Sequence, residues 1–244
     1  MKQNKSYGSW PSKITPEMVV AARNGDLSRV VLIGHEPLIR DWLPVDLGGV
    51  RILCLASGGG QQGPLLAAAG ARVTVFDNSP AQLERDTQVA AREGLEIATV
   101  LGDMRDLSMF PDASFDVVIN PVSNVFCPEL APVWSECARV LVTGGRLLVG
   151  FMNPDLYIFD FDALDERGEF IVRHPLPYSD TEVLTPEEIS ALDRPLEFSH
   201  TMREQVGGQI SAGFAIIGWD ETVHHADATA KYMPGYYATL AVKR

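Results

Sequence analysis

The stretch that decides the fold is Val50-Arg51-Ile52-Leu53-Cys54-Leu55-Ala56-Ser57-Gly58-Gly59-Gly60-Gln61-Gln62-Gly63. Its first part, Val50 to Ala56, is an apolar run of strand type that stops at three consecutive glycines, and a helix-forming stretch from Pro64 to Ala69 follows. Glycine lets the backbone turn tightly and lets a ligand approach it with no Cβ in the way. The helix N-terminus behind the glycines offers N–H groups to an anion. A second apolar strand, Arg72 to Phe76, ends at Asp77, where a carboxylate can hold the two hydroxyls of a ribose. Strand, glycine turn, helix, strand and acid together predict a βαβ unit that holds a nucleoside cofactor.

Gly58, Gly60 and Gly63 satisfy the dinucleotide pattern G-x-G-x-x-G, although a triple-glycine turn meets many short patterns by chance. An NAD(P)-dependent oxidoreductase therefore stays open at this point. Downstream, a third strand from Ile97 to Leu101 is followed by Gly102-Asp103-Met104, which sets a second acid at a strand's carboxyl end. A fourth strand, Phe115 to Ile119, runs into Asn120-Pro121. A helix from Leu130 to Val140, a turn at Thr143-Gly144-Gly145 and a fifth strand from Arg146 to Met152 complete the alternation.

In their order and spacing LCLASGGGQQ, VTVFDNS, GDMRDLSMFPDASFDVVINPVS and ARVLVTGGRLLVGFMNP resemble the class I S-adenosylmethionine (SAM) methyltransferases. Within them the chain looks like the methyltransferase type 11 branch, which includes the ubiquinone/menaquinone methyltransferases. The likeness covers residues 50 to 152 closely. It continues more loosely over 197 to 244 through EQVGGQISAGFAIIGWDE and YMPGYYATLAVKR. It implies an α/β fold with a Rossmann-like sheet of seven strands in the order 3-2-1-4-5-7-6, the last strand antiparallel, and helices on both faces. It also implies SAM as cofactor and methyl transfer as the reaction. Carried over residue by residue, the resemblance places the methionine portion along Ala56, Ser57, Gly58 and Gly60, with Gln62 close by. Asp77 and Asn78 then meet the ribose, Asp103 and Met104 the adenine, and Asn120 and Pro121 the sulfonium and methyl.

The chain departs from the family's first motif, hhDhGxGxG, at the acid and at the first glycine, where it has Cys54 and Ala56. Ser57, Gln61 and Gln62 are candidates to replace the missing polar contacts. The departure also motivates a third reading, a SAM-binding protein without catalysis.

The 244 residues suit one α/β domain with an insertion. Residues 1–48, with Tyr7, Trp10, His35 and Trp42, read as an N-terminal helical segment capping the cofactor site, and 49–244 as the methyltransferase domain. Residues 153–196 interrupt the alternation with Pro154, Pro175, Pro177, Pro186 and Pro195 and many acids, and read as an inserted lid. Thr185-Pro186-Glu187-Glu188 and Thr201-x-x-Glu204 are helix starts. Phe214 to Trp219 and Tyr237 to Val242 read as two closing strands, and the loop joining them predicts an antiparallel hairpin at a sheet edge.

Methyl transfer from a sulfonium has an activated leaving group, so proximity and alignment supply most of the catalysis. A base is needed only where the acceptor must lose a proton. His35, His174 and His200 are candidate bases, with Tyr178 a polar substrate contact; no catalytic residue follows from the sequence. For each of the three histidines the competing reading is a surface or packing residue. No metal is expected: His224-His225 point apart in a strand, and Asp160 to Glu166 lacks a calcium loop's spacing and reads as a solvated strand and turn.

Net charge is −12, from 32 acids against 20 bases, which repels a polyanion and argues for a small-molecule acceptor over nucleic acid. Asn120-Pro121-Val122-Ser123 lacks the second proline and the aromatic of the N-P-P-Y motif of amino-directed nucleic-acid methyltransferases. No apolar run reaches the ~18 residues of a membrane span, and Met1 to Ser6 is too polar to open a signal peptide. Cys54, Cys127 and Cys137 read as reduced core thiols, which suits a cytoplasmic protein.

Overall fold

The computed structural model describes residues 14–223 and 228–244, so Tyr7, Trp10 and the His224-His225 pair lie outside the described residues. In chain order the elements are α1 (Pro16–Arg23), β1 (Arg51–Leu55), α2 (Gln62–Ala68), β2 (Arg72–Asp77), α3 (Pro80–Glu93), β3 (Ile97–Leu101), β4 (Phe115–Asn120), α4 (Ala131–Val140) and β5 (Leu141–Met152). Then come α5 (Phe161–Arg167), α6 (Asp180–Val183), α7 (Pro186–Ser190), α8 (Gly208–Ser211), β6 (Phe214–Thr222) and β7 (Tyr236–Lys243).

One seven-stranded sheet has the order β3-β2-β1-β4-β5-β7-β6. β1 to β5 are parallel, and β7 runs antiparallel to both neighbours, from Met152 opposite Tyr236 to Arg146 opposite Val242, and with Thr222 of β6 opposite Tyr236. The expected order and the antiparallel hairpin at the edge are both observed.

Strand residues alternate between two cores because successive side chains leave a strand on opposite faces. Ile52, Cys54, Val73, Val75, Val117 and Ile119 pack with Val19, Leu65 and Leu83 on one face. Leu53, Leu55, Val118, Leu147 and Val149 pack with Leu107, Val133 and Trp134 on the other. Because both faces are covered, β1 reads as a continuous apolar run. Burying each such side chain contributes roughly 1.5–3 kcal/mol. Trp134 is fully buried, and its indole N–H donates to the Glu204 carbonyl at 2.8 Å.

The helix that follows β2 is set by local chemistry. Ser79 caps α3, its hydroxyl accepting from the Gln82 amide, and Pro80 takes the first position. Gly94 ends it at φ 65.

Two local expectations are corrected. Thr143-Gly144-Gly145 does not end a helix and start a strand; it lies inside β5. Leu141 pairs with Phe115 and Arg146 with Val117, so the extra residues are taken up as an irregularity with Gly144 at φ 79. Asp160 to Glu166 is a helix, not a strand and turn. The Asp160 carboxylate accepts from the Ala163 amide at 2.9 Å and caps α5, which Gly168 closes at φ 66. An acid at the cap and Asp162 in the first turn favour helix over the period-two pattern.

The N-terminal segment lies on the α2/α3 side. Ile14, Val19, Ala22, Trp42, Leu43 and Leu47 belong to that core. A Cβ at Gly150 of β5 would run into the Leu32 carbonyl, so this glycine admits the segment against the sheet. Tyr157 and Tyr178 of the 153–196 stretch form a small buried cluster with Val125, which follows β4. The Asp180 carboxylate is fully buried and accepts from the Tyr178 hydroxyl at 2.7 Å, from Arg194 at 2.6 and 3.2 Å, and from the Glu197 amide at 2.8 Å. Thr185 caps α7 as expected, and Glu188 completes the cap reciprocally. Thr201 and Glu204 exchange the same bonds ahead of a wide helical turn, Arg203–Gly207, and α8.

Candidate active site

The carboxyl ends of β1, β2 and β4 converge where the sheet order reverses, the place at which open α/β sheets bind ligands. β1 delivers the glycine loop, β2 delivers Asp77, and β4 delivers Asn120. The Ala56 amide donates to the Phe76 carbonyl at 2.7 Å, which ties the first turn of the loop to β2.

Two acids grip consecutive amides of that loop. The Gly58 N–H donates to Asp77 Oδ2 at 2.8 Å, and the Gly59 N–H donates to Asp86 Oδ2 at 2.8 Å. Asp77 Oδ1 accepts from the Ser79 amide at 2.9 Å. A carboxylate has about four lone-pair sites, so Asp77 retains acceptor capacity on both oxygens. Gly58 has to be glycine, because a Cβ there would come 2.8 Å from Gln82 Cβ and 3.0 Å from Asp77 Oδ2.

Ala56 sits at φ 46, in the left-handed region where L side chains are strained. Alanine is cheap in place of the family's glycine only where φ is negative. Ala56→Gly is therefore expected to stabilise the fold by about 0.5–1 kcal/mol. Urea unfolding should show a higher midpoint at unchanged slope; a lower midpoint would contradict the strain.

The other expected site residues divide. Asn120 is fully buried; its amide donates to the Leu55 carbonyl at 3.1 Å and to Ser123 Oγ at 2.8 Å. Asn120 Oδ1 and Ser57 Oγ are buried and have no partner among the described residues. Pro121 is half-buried beside Asn120, and Met104 is buried at the end of β3. Asn78 is exposed. The Asp103 carboxylate is engaged two-pronged by Arg105 at 2.6 and 3.1 Å, which holds it below the usual carboxylate range. Gln62 turns its amide to the Val31 carbonyl at 3.0 Å, so it ties the N-terminal segment to the first turn of α2.

Of the candidate bases, His200 is a packing residue. Its Nε2 donates to the Cys127 and Asn124 carbonyls at 2.7 and 3.1 Å, and burial lowers its pKa. His174 stacks on Phe161 and meets the edge of Tyr178, and burial lowers its pKa too. The Tyr178 hydroxyl is spent on Asp180; burial first and then that carboxylate push it up, so it stays protonated. His35 is exposed next to Gly34, which faces Thr222 and Tyr236 at the carboxyl-end rim of the sheet.

The residue that sequence reasoning missed is Asp86. It is fully buried in α3 between Leu83 and Ala90, so an acid interrupts the helix's apolar stripe; that interruption was the available signal. Burial raises its pKa to about 6, the Gly59 and Gly60 amides oppose the rise, and Asp77 adds to it. Above its unfolded value and below about 6, the native state binds the extra proton. Stability is therefore fully present below pH 4 and falls as pH rises through 6, by on the order of 3 kcal/mol. Cys54 on β1 is the other titratable neighbour and stays a neutral thiol, since burial and the Asp86 charge raise its pKa. Thermal melts between pH 4 and 8 should show a declining contribution that Asp86→Asn abolishes; an unchanged profile in that variant would contradict the assignment.

Residues 53–149 match the family described as a methyltransferase domain. The uncharacterised methyltransferase YbaJ of Bacillus subtilis is 43% identical over 99% of this chain and 94% of its own length. The chain belongs to the class I SAM-dependent methyltransferases. A ubiquinone biosynthesis O-methyltransferase of Xylella fastidiosa is 30% identical over 53% of the methyltransferase and 52% of its own length. The crystal structure of a SAM-dependent methyltransferase from Mesorhizobium loti superposes with a TM-score of 0.65 at 21% identity, covering 84% of this chain and 95% of that one.

SAM is the cofactor, and the site suits it. SAM brings donors (ribose hydroxyls, an adenine amine and an ammonium), and the site offers acceptors: Asp77, Asn120 Oδ1 and Ser57 Oγ. A dinucleotide's pyrophosphate needs free amides at the glycine turn. Here the Gly58 and Gly59 amides are already given to carboxylates, whose charge opposes a phosphate. That disposes of the oxidoreductase reading.

Proposed function

We propose that the methyltransferase holds SAM between the loop from Ala56 to Gly60, Asp77 with Asn78, Asp103 with Met104, and Asn120 with Pro121, and methylates a small molecule. The observation that carries this reading is the pair of acids on consecutive loop amides, which favours a ligand of net positive charge over a phosphate. Bound SAM supplies an electrophilic methyl on a sulfonium. Asp77 accepts the ribose hydroxyls, and Asn120 fixes the end of β4 beside the reacting group. The described residues of the N-terminal segment, 14–48, cap the site, and the lid at 153–196 closes over the acceptor and excludes water. Alignment carries the catalysis. His35 at the rim is the acceptor contact within reach of an approaching substrate, whereas Tyr178 shapes the lid from within.

A small-molecule acceptor is supported by the resemblance to the ubiquinone biosynthesis enzyme and by the charge of −12, which opposes a nucleic-acid backbone. No helix among the described residues is long and apolar enough to cross a membrane, and the buried thiols suit the cytoplasm. The test is incubation of a cell extract with the protein and SAM tritiated on the methyl, followed by size separation. Label is expected in the small-molecule fraction; label in RNA or DNA would overturn the reading.

A further inference from the structure

Asp86 lies outside the residues proposed to touch SAM. A fully buried carboxylate is costly unless its oxygens are satisfied, yet Oδ1 has no partner among the described residues. Asp86 sits where α3 meets the loop. A Cβ at Gly60 would come 2.9 Å from the Arg85 carbonyl, and one at Gly63 would come 3.2 Å from Asp86 Oδ1. Glycines at 60 and 63 thus let the loop and α2 lie directly against this acid. The Gly59 amide donates to it at 2.8 Å, next to the Gly58 amide held by Asp77. Behind the loop, β1 contributes Cys54, fully buried and close enough to feel the Asp86 charge. The first turn of the cofactor loop therefore has its buried anion on α3, while the facing strand position carries a neutral thiol.

We infer that Asp86 is the positioning residue of the cofactor loop: its carboxylate fixes the Gly59 peptide, and so the backbone surface on which SAM lies. The inference rests on the proposed placement of SAM along Ala56 to Gly60. The anion belongs to the loop and not to one element, so it can be moved from α3 to β1. Cys54→Asp alone sets two carboxylates against one another. Cys54→Asp combined with Asp86→Ala leaves one carboxylate in place of Asp86, with Asp77 unchanged.

The test is calorimetric titration of the full chain with S-adenosylhomocysteine at pH 8, with thermal melts of each variant. Wild type should bind, and if it does not, the SAM placement itself falls and this inference with it. With wild type binding, Asp86→Ala should lower affinity at least tenfold, and the double variant should recover most of it. Asp86→Asn should melt higher than wild type yet bind more weakly. A purely structural role would move both readouts in the same direction. Should Asp86→Ala fail to fold, Asp86→Asn decides on the same criterion. Affinity within twofold of wild type in the folded variant, or a double variant no better than Asp86→Ala, would overturn the proposal.

Discussion

Asp77→Ala is expected to weaken SAM binding about a hundredfold in a protein that still folds. The carboxylate would accept two ribose hydroxyls, each such charge-assisted bond being worth roughly 1.5–3 kcal/mol before non-additivity. It also accepts the Gly58 and Ser79 amides at 2.8 and 2.9 Å, so its loss relaxes the loop as well as the clamp. Asp77→Asn should fall between alanine and wild type, since an amide keeps one acceptor and loses the charge. Calorimetry with SAM reads the effect directly, and an unchanged affinity in a folded Asp77→Ala protein would remove the residue from the site.

The second large effect is in the segment 153–196, the proposed lid. Asp180 is fully buried, and its net pKa is lowered: burial would raise it, but Arg194, the Tyr178 hydroxyl and the Glu197 amide together outweigh that. Asp180→Ala leaves all three donors without this acceptor. Breaking a buried charge pair from one side costs about 3–5 kcal/mol. Hydrogen exchange should accelerate across Tyr178 to Ser199, where the Asp180, Ser199 and Phe198 amides are bonded, more than in β1 or β4. Methyl transfer should fall with it, because an open lid admits water to the acceptor site. Unaltered protection of that segment would show that the network does not hold the lid.

The parallel core was legible because its signals are local and redundant. Strands β1 to β4 are rich in apolar residues, with Thr74, Thr99 and Asp116 the polar positions inside them, and a glycine, acid or asparagine stands at or soon after each carboxyl end; the Ser79-Pro80 cap announces α3. Three things were less legible, each for a physical reason. The Gly144-Gly145 pair looks like any turn, and only pairing with β4 reveals that the residues are absorbed within β5. Asp160 to Glu166 alternates in polarity like a strand, but a capping bond to the Ala163 amide decides for helix. Asp86 is an acid on a helix that also carries exposed Glu84 and Arg85, so its burial depends on the tertiary approach of Gly60 and Gly63. The positive φ of Ala56 is a backbone fact of the same kind, and the residue type argued against it. Among the histidines, a resemblance or a motif says nothing about exposure: His200 turned out to bond two carbonyls in the interior, and His35 to lie at the rim.

The central claim, that SAM lies along the glycine loop with its ribose on Asp77, is tested most directly by a crystal structure of the protein with S-adenosylhomocysteine. The account predicts both ribose hydroxyls within about 2.6–3.2 Å of the Asp77 carboxylate, with the adenosine leading from the loop toward Asp103 and the sulfur facing Asn120. Nucleoside density elsewhere on the molecule, or a ribose turned away from Asp77, would contradict it.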